Sequence, residues 1–230
     1  MIEINKLSFG YKNLPRLFAD LNLQFAAGSI CGLLGKNGVG KTTLLKIIAG
    51  LLFPNYGDCH VLGHKPQQRL PQFLQEIYFI PEEFYVPAVT GDTYVHLYAP
   101  FYKNFDNKIL HNALNEFDLP SNKKLTTLSY GQKKKFLVAF ALATNCKLLL
   151  LDEPTNGLDI PSKSQFRKLL AAMLTTDKSF IIATHQVRDL ESLIDTVVIL
   201  DEGRIVFNQP IYESTENLEA LFNKVVITGA

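Results

Sequence analysis

Gly35-Lys36-Asn37-Gly38-Val39-Gly40-Lys41-Thr42 is the stretch on which the reading of this chain turns. It matches G-x-x-x-x-G-K-[ST], and its flanks give it the setting that pattern requires. Before it, Ile30-Cys31-Gly32-Leu33-Leu34 is apolar throughout, as in a strand covered on both faces. After it, Leu44, Ile47, Ile48 and Leu51 mark one stripe of a helix predicted from Lys41 to Leu52. A strand, a glycine-rich turn and a helix together make a phosphate-binding device. The glycines let backbone N–H groups converge on phosphate oxygens, and the helix aims its positive end at the same point. Lys41 is expected to bridge the β- and γ-phosphates, and the Thr42 hydroxyl to ligate Mg²⁺.

Outward from this loop the chain alternates strand and helix. Ile2, Ile4, Leu7 and Phe9, then Leu21, Leu23 and Phe25, read as two half-buried strands of an antiparallel start. Gly28-Ser29 is a turn, and Pro54-Asn55-Tyr56-Gly57-Asp58 is a turn cluster before a strand at Cys59 to Leu62. Glu76 to Ile80 reads as a strand stopped at Pro81. Residues 84–145 show helical spacing instead, at Leu110, Ala113, Leu114 and Phe117 and again at Leu137, Phe140 and Ala141. Strands return at Leu148 to Leu151, Phe180 to Thr184 and Val197 to Leu200. Helices are expected from near Pro161 and over Val187 to Leu193, and Asp201-Glu202-Gly203-Arg204 turns into a last hairpin strand. The expected fold is α/β: a P-loop NTPase core with a mainly parallel sheet, an N-terminal antiparallel β portion and an inserted α-helical lobe. Residues 1–230 are read as a single domain, with 1–83 and 146–230 forming the core and 84–145 the lobe. No added C-terminal regulatory domain is expected.

Composition narrows the field. Of 230 residues, 47% are hydrophobic and 20% charged, a globular balance with material for a core. Lys plus Arg number 23 and Asp plus Glu 22, so no global field draws in nucleic acid. The most apolar run, Phe136 to Leu151, is broken by Thr144, Asn145 and Lys147, which argues against a membrane span. The first residues lack the basic and apolar regions of a secretory signal. Cys31, Cys59 and Cys146 form no CxxC pair and fit reduced, buried thiols of a cytosolic protein.

A second chemical landmark is Asp152-Glu153, at the end of Leu148-Leu149-Leu150-Leu151. Carboxylates at the C-terminal end of a central parallel strand stand where α/β sheets place ligands. Asp152 can hold Mg²⁺ through water, and Glu153 can polarise an attacking water.

With these residues in place, the chain resembles the nucleotide-binding domain of ATP-binding cassette (ABC) transporters over about residues 1 to 210. The most specific element is Leu128-Ser129-Tyr130-Gly131-Gln132, similar to that family's LSGGQ signature. The resemblance implies an ATPase powering transport through separate membrane-spanning subunits. It implies a second nucleotide-binding subunit, identical or related, with each ATP held between one copy's phosphate loop and the other's Ser129, Gly131 and Gln132. It implies ATP contacts from Tyr11, Gly35, Asn37, Gly38, Gly40, Lys41, Thr42 and Thr43, with Tyr11 stacking on adenine. It makes Glu153, His185 and Lys41 catalytic, Asp159 of Gly157-Leu158-Asp159 part of the D-loop, and Thr42, Asp152 and Glu82 the Mg²⁺ side. A place at the inner face of the cell membrane, on the cytoplasmic side, follows from the same likeness.

The chain departs from the family pattern twice. Tyr130 stands where glycine is usual, and Glu82 stands at the Q-loop position where glutamine is usual. Three features stay open at this level. Phe84, Tyr85, Tyr94, Tyr98, Phe101, Tyr102 and Phe105 read equally as a docking groove or as the lobe's core. Lys133-Lys134-Lys135 reads as a solvated helix face or as charge favouring phosphate. Substrate and direction of transport are not legible. Among rivals, ribosomal relatives generally fuse two cassettes and DNA-repair relatives carry a coiled coil, and neither pattern occurs in these residues. A small GTPase would lack the signature, and a subunit that only binds ATP would not need Glu153 and His185.

Overall fold

The computed structural model describes residues 1–186, 191–211 and 218–227. Strands β1 (Ile2–Phe9), β2 (Phe18–Phe25) and β4 (Tyr56–Val61) form an antiparallel sheet in the order β2-β1-β4. A second sheet runs β5 (Ile77–Ile80), β6 (Leu148–Asp152), β7 (Ser179–Thr184), β3 (Ile30–Leu34), β8 (Thr196–Asp201) and β9 (Arg204–Pro210). Its first five strands are parallel, and β9 closes the edge antiparallel. The helices are α1 (Lys41–Ile48), α2 (Pro71–Leu74), α3 (Gly91–Tyr98), α4 (Asn107–Glu116), α5 (Tyr130–Ala143), α6 (Ile160–Met173) and α7 (Leu218–Ile227).

The unbroken apolar runs of β3 and β6 reflect burial on both faces of the larger sheet. Leu149 and Leu151 belong to one core cluster and Leu148 and Leu150 to the other. The first cluster also takes in Phe180 and Ile182 with α4, α5 and the Phe166 and Leu170 face of α6. The second joins Ile181 and Ala183 to α1 and to the inner face of the antiparallel sheet. Side chains alternate across a strand, so each strand feeds two cores.

α3, α4 and α5 all fall between residues 91 and 143, and no named strand lies among them. α5 carries the weight of this region. Phe136, Val138, Ala139, Phe140, Leu142 and Ala143 on it are all buried. Phe140 meets the rings of Tyr78, Tyr94, Tyr102 and Phe105 at centroid distances of 5.7, 5.1, 6.2 and 5.3 Å.

Several expectations are corrected. The helix after the phosphate loop stops at Ile48, not Leu52. Gly50 takes φ 68°, its N–H bonds Ile47 O, and the Leu51 N–H bonds Lys46 O. This pair of bonds ends a helix with a glycine in the left-handed region and leaves Leu51 49% exposed. β4 starts at Tyr56, inside the expected turn cluster, because Tyr56 and Asp58 pair with Ser8 and Asn5 of β1. Of the helix expected over Val187 to Leu193, residues 187–190 lie outside the described residues, and 191–193 form a turn. The short α2 and the helix α7 carried no signal in the sequence reading.

Candidate active site

The phosphate loop follows β3 at the C-terminal edge of the parallel strands, the side on which such sheets bind ligands. Gly38 and Gly40 take positive φ, and Gly40 caps α1. Lys41 is 7% exposed, and its ammonium reaches back across the loop, donating to Gly35 O at 2.7 Å and Lys36 O at 3.1 Å. Burial lowers its pKa, while Glu153, Asp152 and Glu82 pull the other way. The Thr42 hydroxyl donates to Asp152 Oδ2 at 2.6 Å. Tyr11 and Thr43 hydroxyls share a hydrogen bond of 3.0 Å.

β6 and β7 deliver the acidic half. Asp152 is buried, and that burial raises its pKa against the Thr42 hydrogen bond. Glu153 is 4% exposed, and its backbone sits at φ 44°. Its Oε2 accepts from the Thr184 hydroxyl at 2.9 Å. Its Oε1 accepts from the His185 N–H at 3.0 Å and lies 2.6 Å from His185 Nδ1. Two of the three expected catalytic residues, Glu153 and His185, therefore form one pair, with Thr184 holding the carboxylate. That threonine ends a fully buried strand, and no feature of the sequence marks it.

A cleft of about 450 Å³ brings these groups together, lined by Tyr11, Asn37, Gly38, Gly40, Lys41, Thr42, Thr43, Glu82, Asp152 and Glu153. Leu14, Pro15 and Leu17 add an apolar side next to Tyr11, suited to a flat ring. Three carboxylates share the cleft with Lys41, and Thr42 adds a hydroxyl. Such oxygen donors with excess negative charge fit a hard cation such as Mg²⁺. Among the described residues no three His, Cys, Asp or Glu make a complete cage.

The signature residues stand elsewhere. Ser129 caps α5 in a capping box, its hydroxyl accepting from the Gln132 N–H at 3.2 Å while Gln132 Oε1 accepts from the Ser129 N–H at 3.0 Å. Ser129 and Gln132 are exposed, Gly131 is half-buried, and none of the three lines the cleft. Asp159 is exposed and caps α6, accepting from the Ser162 N–H at 2.9 Å. The Ser162 hydroxyl first, and then this N–H bond, hold its carboxyl below the usual range.

The two departures from the family pattern meet. The Tyr130 phenol donates to Glu82 O at 2.9 Å and its ring stacks on Phe84 at 5.2 Å. Glu82 Oε1 accepts from Asn156 Nδ2 at 3.0 Å. Lys134 corrects the solvated-face reading for the middle of the lysine run. It is fully buried, with its ammonium donating to Glu153 O at 2.8 Å and Asn156 O at 3.1 Å. Lys133 and Lys135 stay half-exposed.

A family model described as "ABC transporter" matches residues 18–156, more than half of the chain. The chain belongs to the ABC transporter family. It is an ATP-binding subunit of that family, and its reaction is ATP hydrolysis. The peptide-export ATP-binding protein SkfE of Bacillus subtilis is 31% identical, the match covering 99% of this chain and 95% of SkfE. The uncharacterised ABC transporter ATP-binding protein YdbJ of the same organism is 36% identical over 83% of this chain. This match spans 63% of YdbJ's length. In fold, the ABC subunit is similar to the ATP-binding subunit of an ABC transporter with a TM-score of 0.88 at 23% identity, covering 98% of this chain and 99% of the other. A TM-score of 0.81 at 24% identity relates it to a dimeric post-hydrolysis ATP-binding cassette, MJ0796, with 92% of this chain and 99% of that one covered.

Proposed function

We propose that two copies of this ABC subunit, or this one and a close relative, close head to tail over two ATP molecules and drive transport through membrane-spanning partners. The observation carrying this reading is the separation of parts. The cleft holds the phosphate loop, Asp152 and Glu153, while the anion-suited cap at Ser129 to Gln132 stands outside it. One chain thus offers two halves of a site that do not meet within it, the loop in the cleft and the cap outside its lining.

In the closed site Tyr11 stacks on the adenine, and Gly35, Asn37, Gly38, Gly40, Thr42 and Thr43 cradle the phosphates. Lys41 leaves its loop carbonyls for the β- and γ-phosphates. Thr42, Asp152 and Glu82 would hold Mg²⁺, which when bound offsets the phosphate charge. Glu153, oriented by Thr184, aligns the attacking water and takes its proton. His185 keeps its Nδ1 on Glu153 and turns its other ring nitrogen to the γ-phosphate. Ser129, Gly131 and Gln132 act on the partner's nucleotide, and Asp159 faces the dimer seam. Most of the acceleration comes from positioning and charge stabilisation, as phosphoryl transfer requires.

Residues 84–145 act as a lobe that moves against the core of 1–83 and 146–230. Between them lies a groove of about 640 Å³ whose walls include Leu51, Tyr78, Phe79, Tyr98, Phe101 and Tyr102. Phe101 is 68% and Tyr98 39% exposed, while Tyr94 is buried. The aromatic set therefore divides between core and exposed wall, and the wall is the seat for a cytoplasmic helix of the membrane partner. Among the described residues no helix is long and apolar enough to cross a membrane. Glu153→Gln tests the chemistry. ATP affinity should persist while kcat falls about a hundredfold or more, the usual weight of a general base. Near-normal turnover would refute the assignment.

A further inference from the structure

Helix α5 sends one cation into the hydrolytic site from behind. Lys134 is the second residue after the signature, and its side chain is wholly buried. Its ammonium bridges Glu153 O and Asn156 O, the two ends of the turn that leaves β6. That turn starts from an uncommon backbone state, since Glu153 sits at φ 44°. Non-glycine residues persist there only when neighbours hold them. The Glu153 N–H is fixed to Ala183 O at 2.9 Å, and its carbonyl is fixed by Lys134. Both main-chain ends of Glu153 are thus pinned, one by β7 and one by α5.

The same ammonium stands among acidic groups. Glu82, Glu153 and Asp152 all favour its charged form against the burial that opposes it. Glu82 reaches the same turn from the other side, through Asn156 Nδ2. The Tyr130 ring lies 5.1 Å from the ammonium, and its phenol holds Glu82 O. Gly157 completes the fit, because a Cβ there would stand 2.9 Å from the Tyr130 ring. Glu82, Tyr130, Lys134, Asn156 and Gly157 thus form one contact set.

We infer that Lys134 is a positioning residue for Glu153, holding its backbone in register with the signature helix and supplying the cation that a carboxylate at position 82 calls for. This rests on the reading of Glu153 as the group that orients water. Lys134 touches no nucleotide in this scheme, so its loss should act on the rate and leave binding alone. The charge at Glu82 and the charge at Lys134 should also be coupled, because both groups hold Asn156 and Glu82 favours the charged ammonium.

The test is steady-state ATPase kinetics of the purified subunit, with equilibrium binding of a fluorescent ATP analogue to each variant. Lys134→Met should keep the analogue's Kd within about twofold while kcat falls about tenfold to a hundredfold, the scale of a misplaced catalytic group. Lys134→Gln keeps an amide donor for the carbonyls but loses the charge. It should lower kcat, and the same change made in a Glu82→Gln background should lower kcat by at most about half as much on a logarithmic scale, the sign expected of coupled neighbours. This pair decides the matter even if the methionine variant does not fold. A Lys134→Met protein with wild-type kcat would overturn the inference, as would a Lys134→Gln loss as large in the Glu82→Gln background as in the wild type. Glu153→Gln measured alongside separates the two levels. If it is inactive while the Lys134 variants turn over normally, the positioning role alone fails. If it is fully active, the reading of Glu153 beneath it fails.

Discussion

Glu153 shows how much of this site is made by neighbours that leave little trace in the sequence. Its carboxylate is anchored to Thr184 and His185, and its backbone to Ala183 and Lys134. The pairing of Asp152 with Thr42 was legible, because both belong to recognisable patterns at strand end and helix start. The burial of Lys134 was not. Three consecutive lysines give no sign of which one faces inward until the helix phase is fixed by Ser129 and Phe136. The reduced-thiol reading has a direct check. Burial pushes the thiols of Cys31, Cys59 and Cys146 up to about 12. All three should resist a thiol-reactive dye in the native protein near the ordinary thiol value of 9.0, then label together on denaturation. The sign is that of a raised acid: the neutral thiol's contribution to stability is complete below the ordinary value and is lost as pH climbs through about 12. Fast native labelling of any one would contradict its placement in the core.

Among elements, α5 ties the most together. Its N-terminus carries the signature cap, its second turn carries Lys134, and its apolar length joins the two sides of the first core cluster. Phe140 is the centre of that cluster's aromatic network and is fully buried. Phe140→Ala should cost about 3–5 kcal/mol in chemical denaturation, as for other large-to-small changes in a packed core. A loss near zero would mean that α5 does not hold the helical region on the sheet. The fully buried strands β3, β6 and β7 were well marked by length and unbroken apolarity, since double-sided burial leaves no other pattern. Element ends were less so. The stripe from Leu44 to Leu51 continues past the helix because helical spacing outlasts the turn that Gly50 imposes. β4 begins early because pairing with β1, a long-range fact, overrides turn-forming residues.

For the whole molecule, the decisive property is that the signature cap does not line the cleft that holds the nucleotide loop. Neither composition nor spacing could place them relative to one another; the resemblance to a family supplied that expectation, and the lining of the cleft agrees with it. The same geometry explains why a chain of near-neutral charge can be selective: recognition rests on a few buried charges in one cleft, not on a global field. Complementation in mixtures tests the shared site most directly. Lys41→Ala disables the phosphate loop, and Ser129→Arg, at an exposed cap, disables the signature. Each variant alone should be nearly inactive. Mixed in equal amounts, about a quarter of the wild-type rate should return, since about half of random pairs are mixed and each of these has one of its two sites built from intact halves. A mixture no more active than the sum of its parts, with ATP-dependent pairing intact, would contradict the account.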